Sequence, residues 1–177
     1  MTTFIKADRE LYLSQKSELK SLYLDAFTKG ISAQKISIKG AETYLEDLFL
    51  HGYGVFGFSE DKLVAALIIT PLSYDDECPQ HIKQHYNVSK SEYIAEVLVD
   101  ENSRGMGLGK ALMDTFETYL NKNTKHVFLR VWDKNEAAVA LYQKSGFKIC
   151  GHLDQEKVRP NSHETFTMHK NYMVKTY

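Results

Sequence analysis

Apolar side chains return at helical spacing in several stretches of this chain. The longest stripe covers more than three turns and consists of Leu108, Ala111, Leu112, Thr115, Phe116, Tyr119 and Leu120. Two shorter stripes of the i, i+3, i+4, i+7, i+8 type begin at Leu19 and Ala41, and Gly30 and Gly52 follow them as stop signals. A further helix is predicted over 136 to 144, with Asn135 as its N-cap. The pattern therefore predicts about four helices.

Apolar runs between these helices predict six to seven strands. The predicted strands are Phe4 to Ala7, Tyr53 to Ser59, Leu63 to Thr70, Tyr93 to Val99, Val127 to Trp132, Phe147 to Leu153 and Glu164 to Met173. The second and third form a hairpin, and Pro160-Asn161 marks a turn between the last two. Residues 73 to 91 are polar, lack a clear period and exceed the usual length of a connection, so they are predicted to be an insertion or a lid. The order β-α-α-β-β-β-α-β-α-β-β indicates an α/β (α+β) chain.

Composition narrows the class of protein. The chain has 177 residues, 43% hydrophobic and 25% charged, which suits a single globular domain over residues 1–177. The formal net charge of −1 gives no reason to expect nucleic acid as a partner. No apolar stretch approaches the roughly 18 residues of a membrane-spanning helix, so no membrane is expected as a partner. Cys78 and Cys150 are too few for a disulfide scaffold, and a cytoplasmic location is predicted.

The loop Ser103-Arg104-Gly105-Met106-Gly107-Leu108-Gly109-Lys110 joins the strand that ends at Val99 to the longest helix. Glycines at a helix N-terminus let an anion approach several unpaired backbone N–H groups, so this loop is predicted to bind a pyrophosphate. A Walker loop does not fit, because position 104 is Arg and position 111 is Ala. The dinucleotide fingerprint fits poorly, because Lys110 stands where its third glycine belongs.

The Arg-x-x-Gly-x-Gly pattern after a strand resembles motif A of the GNAT superfamily of N-acetyltransferases, whose loop holds the pyrophosphate of coenzyme A. Residues Asn135-Glu136-Ala137-Ala138-Val139-Ala140-Leu141-Tyr142-Gln143-Lys144-Ser145-Gly146-Phe147 resemble motif B of the same family. The resemblance covers residues 92 to 150. It implies the GNAT acyl-CoA acyltransferase fold, with a mixed, mostly antiparallel sheet of six to seven strands flanked by about four helices. It also implies acetyl-CoA as cosubstrate.

The resemblance further implies which residues bind the coenzyme. In the family the strand before motif A bulges away from its neighbour and leaves main-chain groups free for the thioester and pantetheine. The implied binding residues are Val97, Leu98, Val99, Arg104, Gly105, Met106, Gly107, Leu108, Gly109, Lys110, Asn135 and Tyr142. N-capping explains Asn135 nearly as well, and Arg104 and Lys110 have the alternative of solvated surface cations.

Acetyl transfer to an amine also needs an acid and a base. We predict Tyr142 as the acid, because a phenol is protonated at neutral pH and the motif B tyrosine of similar enzymes lies beside the thioester sulfur. The alternative is a core tyrosine. Glu96 is the candidate base, because a carboxylate within an otherwise apolar strand would be costly without a function or a partner. The alternative is a solvent-facing or ion-paired Glu96. Some relatives place a glutamate on the next strand, where this chain has Arg130, so a water chain is a further alternative to a side-chain base.

The sequence thus predicts an N-acetyltransferase that transfers acetyl from acetyl-CoA to a primary amine by direct attack in a ternary complex. The acceptor can be a small molecule or an amine of a peptide or protein, and a homodimer is compatible with the family. The alternatives are a catalytically silent acyl-CoA-binding module or sensor, and an unrelated nucleotide enzyme. Cys78, His81 and His85 have metal-like spacing without an evident fourth ligand, so no metal is predicted.

Overall fold

The computed structural model describes every residue from Met1 to Tyr177. Its seven strands are β1 (Thr2–Ala7), β2 (Tyr53–Ser59), β3 (Lys62–Pro71), β4 (Ser91–Val99), β5 (His126–Trp132), β6 (Lys148–Val158) and β7 (Thr165–Thr176). They form one sheet in the order β1-β2-β3-β4-β5-β7-β6, in which only β4 and β5 run parallel. The predicted fold class, a mixed and mostly antiparallel sheet with flanking helices, is confirmed.

Six helices flank the sheet, two more than the hydrophobic pattern predicts. They are α1 (Arg9–Ser14), α2 (Lys16–Thr28), α3 (Ile38–His51), α4 (Gln80–His85), α5 (Leu108–Tyr119) and α6 (Glu136–Lys144). The two additional helices, α1 and α4, have six residues each and bury a single side chain, Tyr12 and Ile82 respectively. Because one buried residue cannot establish a period, the pattern does not reveal them.

The 73–91 segment is folded against the sheet. It contains α4, and one-turn 3₁₀ helices lie at either end of it, Leu72–Tyr74 and Val88–Lys90. The buried residues Cys78 and Ile82 join an apolar cluster with side chains of β4, β5 and β7. That it moves as a lid stays a prediction.

Apolar side chains cover both faces of the sheet. On one face α5 and α6 pack through a cluster that contains Leu112, Phe116 and Tyr142. On the other face the first three helices pack through Tyr12, Leu19 and Phe49, among others. The strands β4 and β5, at the centre of the sheet, pair over only part of their length.

Candidate active site

A gap opens between β4 and β5 in the middle of the sheet. These strands pair only where Ser91–Ile94 lies beside His126–Leu129, while β4 continues to Val99. The register of β4 against β3 also shifts at the start of the gap, because Ile94 and Glu96 lie opposite consecutive residues of β3. Ala95 is thus the extra residue of a β-bulge, which bends β4 away from its parallel neighbour. The bulge expected in this strand is present.

The main chain of β4 beyond the bulge faces the gap at alternate residues. The N–H of Asp100 donates to the carbonyl of Val64 in β3 at 2.8 Å, and this orientation repeats at every second residue of an antiparallel pair. The N–H of Leu98 therefore also points to β3, whereas those of Val97 and Val99 point into the gap. The N–H groups that face the gap thus belong to Val97 and Val99, while the side chain of Leu98 is buried in the core. Contact between Leu98 and the coenzyme stays a prediction. For Val97 and Val99, coenzyme binding stays a prediction.

The loop after β4 presents a run of unpaired backbone donors. No N–H from residue 105 to residue 110 donates to a protein acceptor, and the first bond of α5 runs from Ala111 to the carbonyl of Gly107. Gly105 and Gly107 have φ angles of 75° and 77°, which L side chains rarely adopt. A Cβ at either glycine would meet no atom within 4 Å, so the space above them is open. This concave array of donors at the start of α5 fits a pyrophosphate.

The polar side chains near this loop differ in whether they already form an ion pair or a hydrogen bond within the protein. Lys110 forms an exposed i,i+4 pair with Asp114, and Arg104 takes part in no ion pair. The side-chain oxygen of Asn135 accepts a hydrogen bond from the N–H of Ala138 at 3.2 Å, which makes Asn135 the N-cap of α6. Capping thus accounts for Asn135, and its contact with coenzyme A stays a prediction.

Glu96 lies at the bulge, on the face of the sheet that α2 and α3 cover. The hydroxyl of Tyr44 in α3 donates to Oε1 of Glu96 at 2.8 Å. Burial raises the pKa of Glu96 to about 7, although the Tyr44 hydrogen bond and the charges of Lys170, Arg130 and Lys157 act in the opposite direction. A carboxyl group with this pKa exchanges protons readily at neutral pH.

Tyr142 approaches the same gap from the opposite face. It lies in α6, is 7% exposed and contacts Phe147 edge-on with ring centroids 6.3 Å apart. Burial, and then the charge of Glu96, raises the pKa of the Tyr142 phenol above its ordinary value. The phenol therefore remains protonated, and its hydroxyl donates to no protein group. Glu96 and Tyr142 thus interact electrostatically from opposite sides of the sheet.

A buried ion network holds the 73–91 segment to the sheet. The guanidinium of Arg130 donates from Nε to the hydroxyl of Tyr93 at 2.7 Å, and it pairs with Glu77 at 2.8 Å and with Asp75 at 3.4 Å. The Tyr172 hydroxyl donates to the other oxygen of Asp75 at 2.7 Å. Burial acts to raise the pKa of Glu77, but the charge of Arg130 and the hydrogen bonds from Arg130 and Gln155 together outweigh it, so this pKa lies below its usual range.

Sequence reasoning missed this network. Its members come from β4, β5, β7 and the 73–91 segment, and neither Asp75 nor Tyr172 belongs to a motif. The one signal was Arg130 itself, since a cation in an apolar strand requires a carboxylate partner. The side-chain amide of Gln155 in β6 completes the network by donating to Glu77.

The remaining candidates do not assemble into a second site. No group of three or more His, Cys, Asp and Glu side chains is placed to hold a metal ion. His81 lies 3.4 Å from the carbonyl of Cys150, and burial raises the pKa of the Cys150 thiol to about 12. Both cysteines are free. None of the helices is both long and apolar enough to cross a bilayer.

Comparison with known proteins identifies related sequences. The model of the acetyltransferase (GNAT) family matches residues 17–147. A spermine/spermidine N(1)-acetyltransferase of Bacillus subtilis is 31% identical over 64 residues, which cover 35% of this chain and 42% of that protein. The peptidyl-lysine N-acetyltransferase YiaC of Escherichia coli is 30% identical over 74 residues, covering 41% and 48% of the two chains. The chain thus matches less than half the length of either relative.

Solved structures share the whole fold at low sequence identity. Arabidopsis thaliana NAA60 in complex with acetyl-CoA superposes with a TM-score of 0.72 over 99% of this chain and 98% of that one, at 17% identity. This likeness supports the arrangement of strands and helices around the gap, including the parts of the chain that lie outside residues 92 to 150.

Proposed function

Because the chain belongs to the acetyltransferase (GNAT) family, we propose that it transfers an acetyl group from acetyl-CoA to a primary amine by direct attack in a ternary complex. The observation that carries this proposal is the gap between β4 and β5. It is flanked by a carboxyl group with a pKa of about 7 on one face and a protonated phenol on the other. The unpaired N–H groups of residues 105 to 110 follow β4 after a single 3₁₀ turn, Glu101–Ser103.

Acetyl-CoA is the proposed cosubstrate, and the residues present fit it. The donors at 105–110 fit its pyrophosphate, and the free N–H groups of Val97 and Val99 fit its pantetheine and its thioester carbonyl. The coenzyme supplies an activated acetyl group, and the relative NAA60 binds it in a fold of the same arrangement. No step of the proposal requires a metal.

Glu96 and Tyr142 divide the proton transfers. The acceptor amine attacks the thioester carbonyl, a C–N bond forms, and the C–S bond breaks. Glu96 takes a proton from the amine nitrogen, directly or through a water, and Tyr142 gives its phenolic proton to the departing thiolate. A free alkylamine has a pKa of about 10.4 and a thiol one of about 8.5, so both transfers assist the reaction at neutral pH.

The test is thiol release by purified protein from acetyl-CoA against a panel of primary amines. We expect release with at least one amine, together with acetyl-CoA binding measured by calorimetry. Coenzyme binding without release from any amine would favour the silent acyl-CoA-binding module. Absence of both, with tight binding of ATP or NAD, would favour the unrelated nucleotide enzyme.

Tyr142→Phe tests the proposed acid. Removing the phenolic proton should lower kcat by about 10²-fold, because this is the low end of what a general acid contributes. The Kd for acetyl-CoA should stay within a factor of about three, since the phenyl ring still fills its place in the core. An unaltered kcat would remove Tyr142 from the mechanism.

The predicted cytoplasmic location and the homodimer remain predictions, to be tested by cell fractionation and sedimentation.

A further inference from the structure

Two lysines of the last strands lie on the same face of the sheet as Glu96. Lys170 in β7 lies two residues from Tyr172, and Lys157 in β6 lies two residues from Gln155. Because side chains two residues apart on a strand share a face, both lysines lie on the face of the Arg130 network. Tyr172 and Gln155 contact its two carboxylates, Asp75 and Glu77 respectively.

Neither lysine has a carboxylate partner. The ion pairs of this region join Arg130 to Asp75 and to Glu77, and Lys157 and Lys170 take part in none. Burial, followed by the charges of Lys157 and Arg130, lowers the pKa of Lys170 to about 8. Burial also lowers the pKa of Lys157. Two half-buried ammonium groups that form no ion pair are costly, and groups with such perturbed pKa values cluster at functional sites.

The carboxylates nearby are already engaged. Asp75 forms an ion pair with Arg130 and accepts from Tyr172, and Glu77 accepts from Arg130 and Gln155. Glu96 accepts from Tyr44, and in the proposed mechanism it must receive a proton from the amine. Unlike these carboxylates, the buried side-chain carbonyl of Gln155 accepts no hydrogen bond. This face of the sheet, the proposed acceptor side, thus holds two cations that form no ion pair with the protein.

We propose that Lys157 and Lys170 bind a carboxylate of the acceptor, so that the preferred acceptor is a primary amine that also carries an anionic group. This inference rests on the proposed function. An acceptor amine held at Glu96 would place its own carboxylate toward β6 and β7, where the two ammonium groups donate charge-assisted hydrogen bonds. A polyamine would instead bring further positive charge beside two unpaired lysines, and like charges disfavour binding. The acceptor class therefore differs from that named for the Bacillus subtilis relative.

The first experiment compares matched acceptors in the thiol-release assay. One set comprises 4-aminobutanoate, 4-aminobutanamide and 1,4-diaminobutane, and a second comprises the C-terminally amidated dipeptides Ala-Glu, Ala-Gln and Ala-Lys. We expect kcat/KM to be about 10-fold higher for the carboxylate than for the amide in at least one set, and lowest for the added cation. The inference is overturned if, in both sets, the amide acceptor or the acceptor with the added cation has a kcat/KM equal to that of the carboxylate acceptor.

Substitution of each lysine tests whether it causes the preference for a carboxylate acceptor. Lys170→Gln and Lys157→Gln should each reduce kcat/KM for the carboxylate about 10-fold more than for the amide. Lys148→Gln is the matched control, because Lys148 is an exposed lysine at the other end of β6, opposite Val174 rather than Phe166. A preference that survives both substitutions contradicts the assignment.

A labelling experiment separates this inference from the proposed function. Trace acetylation of lysines by acetic anhydride, read by mass spectrometry, should slow at Lys157 and Lys170 when the N-acetylated Ala-Glu amide is added. The N-acetylated Ala-Gln amide should leave both rates unchanged, and Lys148 should not respond to either. This readout requires no turnover, so equal labelling with both ligands overturns the carboxylate subsite. Absence of thiol release with intact protection would overturn only the transfer reaction.

Discussion

The two sides of the proposed site are built from different parts of the chain. The coenzyme side comes from one continuous stretch, in which β4, the 104–110 loop and α5 present backbone N–H groups. The acceptor side combines side chains that are far apart in sequence, since 52 residues separate Tyr44 from Glu96 and 78 separate Gln155 from Glu77. Coenzyme binding therefore depends on a local backbone shape, and acceptor chemistry depends on tertiary contacts. Substitutions should affect the two sides separately.

Glu96→Gln should have the largest effect, and only on the acceptor side. It removes the proposed base at nearly constant size, so kcat/KM should fall by about 10²- to 10⁴-fold. In the wild type kcat/KM should rise with pH through about 7, where Glu96 loses its proton. This limb should be missing from the pH profile of the variant, whereas its Kd for acetyl-CoA should be unchanged. The measurement is thiol release from roughly pH 5.5 to 9.

Stability provides the control for this variant. Folding raises the pKa of Glu96 from 4.5 to about 7. At a pH between these two values the Glu96 carboxyl group is ionised in the unfolded chain and protonated in the folded chain. The wild type accordingly loses stability as pH rises through this window. Above it, Glu96→Gln should be at least as stable as the wild type in urea unfolding. An undiminished kcat/KM would remove Glu96 from the mechanism.

Arg130→Met should destabilise the acceptor side itself. It leaves Asp75, whose side chain is 2% exposed, and Glu77 without their cation, and breaking a buried pair costs about 3 kcal/mol or more. The free energy of unfolding in urea measures this loss. Lys29→Met is the matched control, since its pair with Asp25 leaves 54% of each side chain exposed and should contribute less than about 1 kcal/mol. Equal losses in the two variants would show that the Arg130 network does not hold the 73–91 segment.

The same contrast explains what the sequence could predict. The helix over 136 to 144, the start of α5 at Leu108 and the hairpin of β2 and β3 follow from periodicity, capping residues and turns, which are local properties. The partners of Arg130 do not follow, because a polar segment gives no indication of which carboxylate is buried. The direction in which the N–H of Leu98 points does not follow either. Its backbone direction depends on register with β3, which the sequence of β4 alone does not contain.

Tyr44→Phe should have a moderate effect on proton transfer. The Tyr44 hydroxyl donates to the carboxylate of Glu96 and so favours its ionised form. Without it the pKa of Glu96 should rise, which moves the limb of the kcat/KM profile to higher pH. Tyr53→Phe is the control, because its hydroxyl donates to Glu92, outside the gap, at 3.2 Å. A limb that stays in place in Tyr44→Phe would mean that the Tyr44 hydrogen bond does not influence the pKa of Glu96.

Gly107→Ala should have the smallest effect and act only on the coenzyme side. A Cβ at φ 77° costs about 1 kcal/mol in stability, although it meets no neighbour. Gly30→Ala imposes the same strain, because Gly30 also has φ 77° and open space, but it lies in the turn after α2. The two variants should therefore lose similar stability, while only Gly107→Ala weakens acetyl-CoA binding in calorimetry. If both bound the coenzyme like the wild type, the glycine backbone would not form its pyrophosphate site. The coenzyme side would then have to rely on side chains, as the acceptor side does.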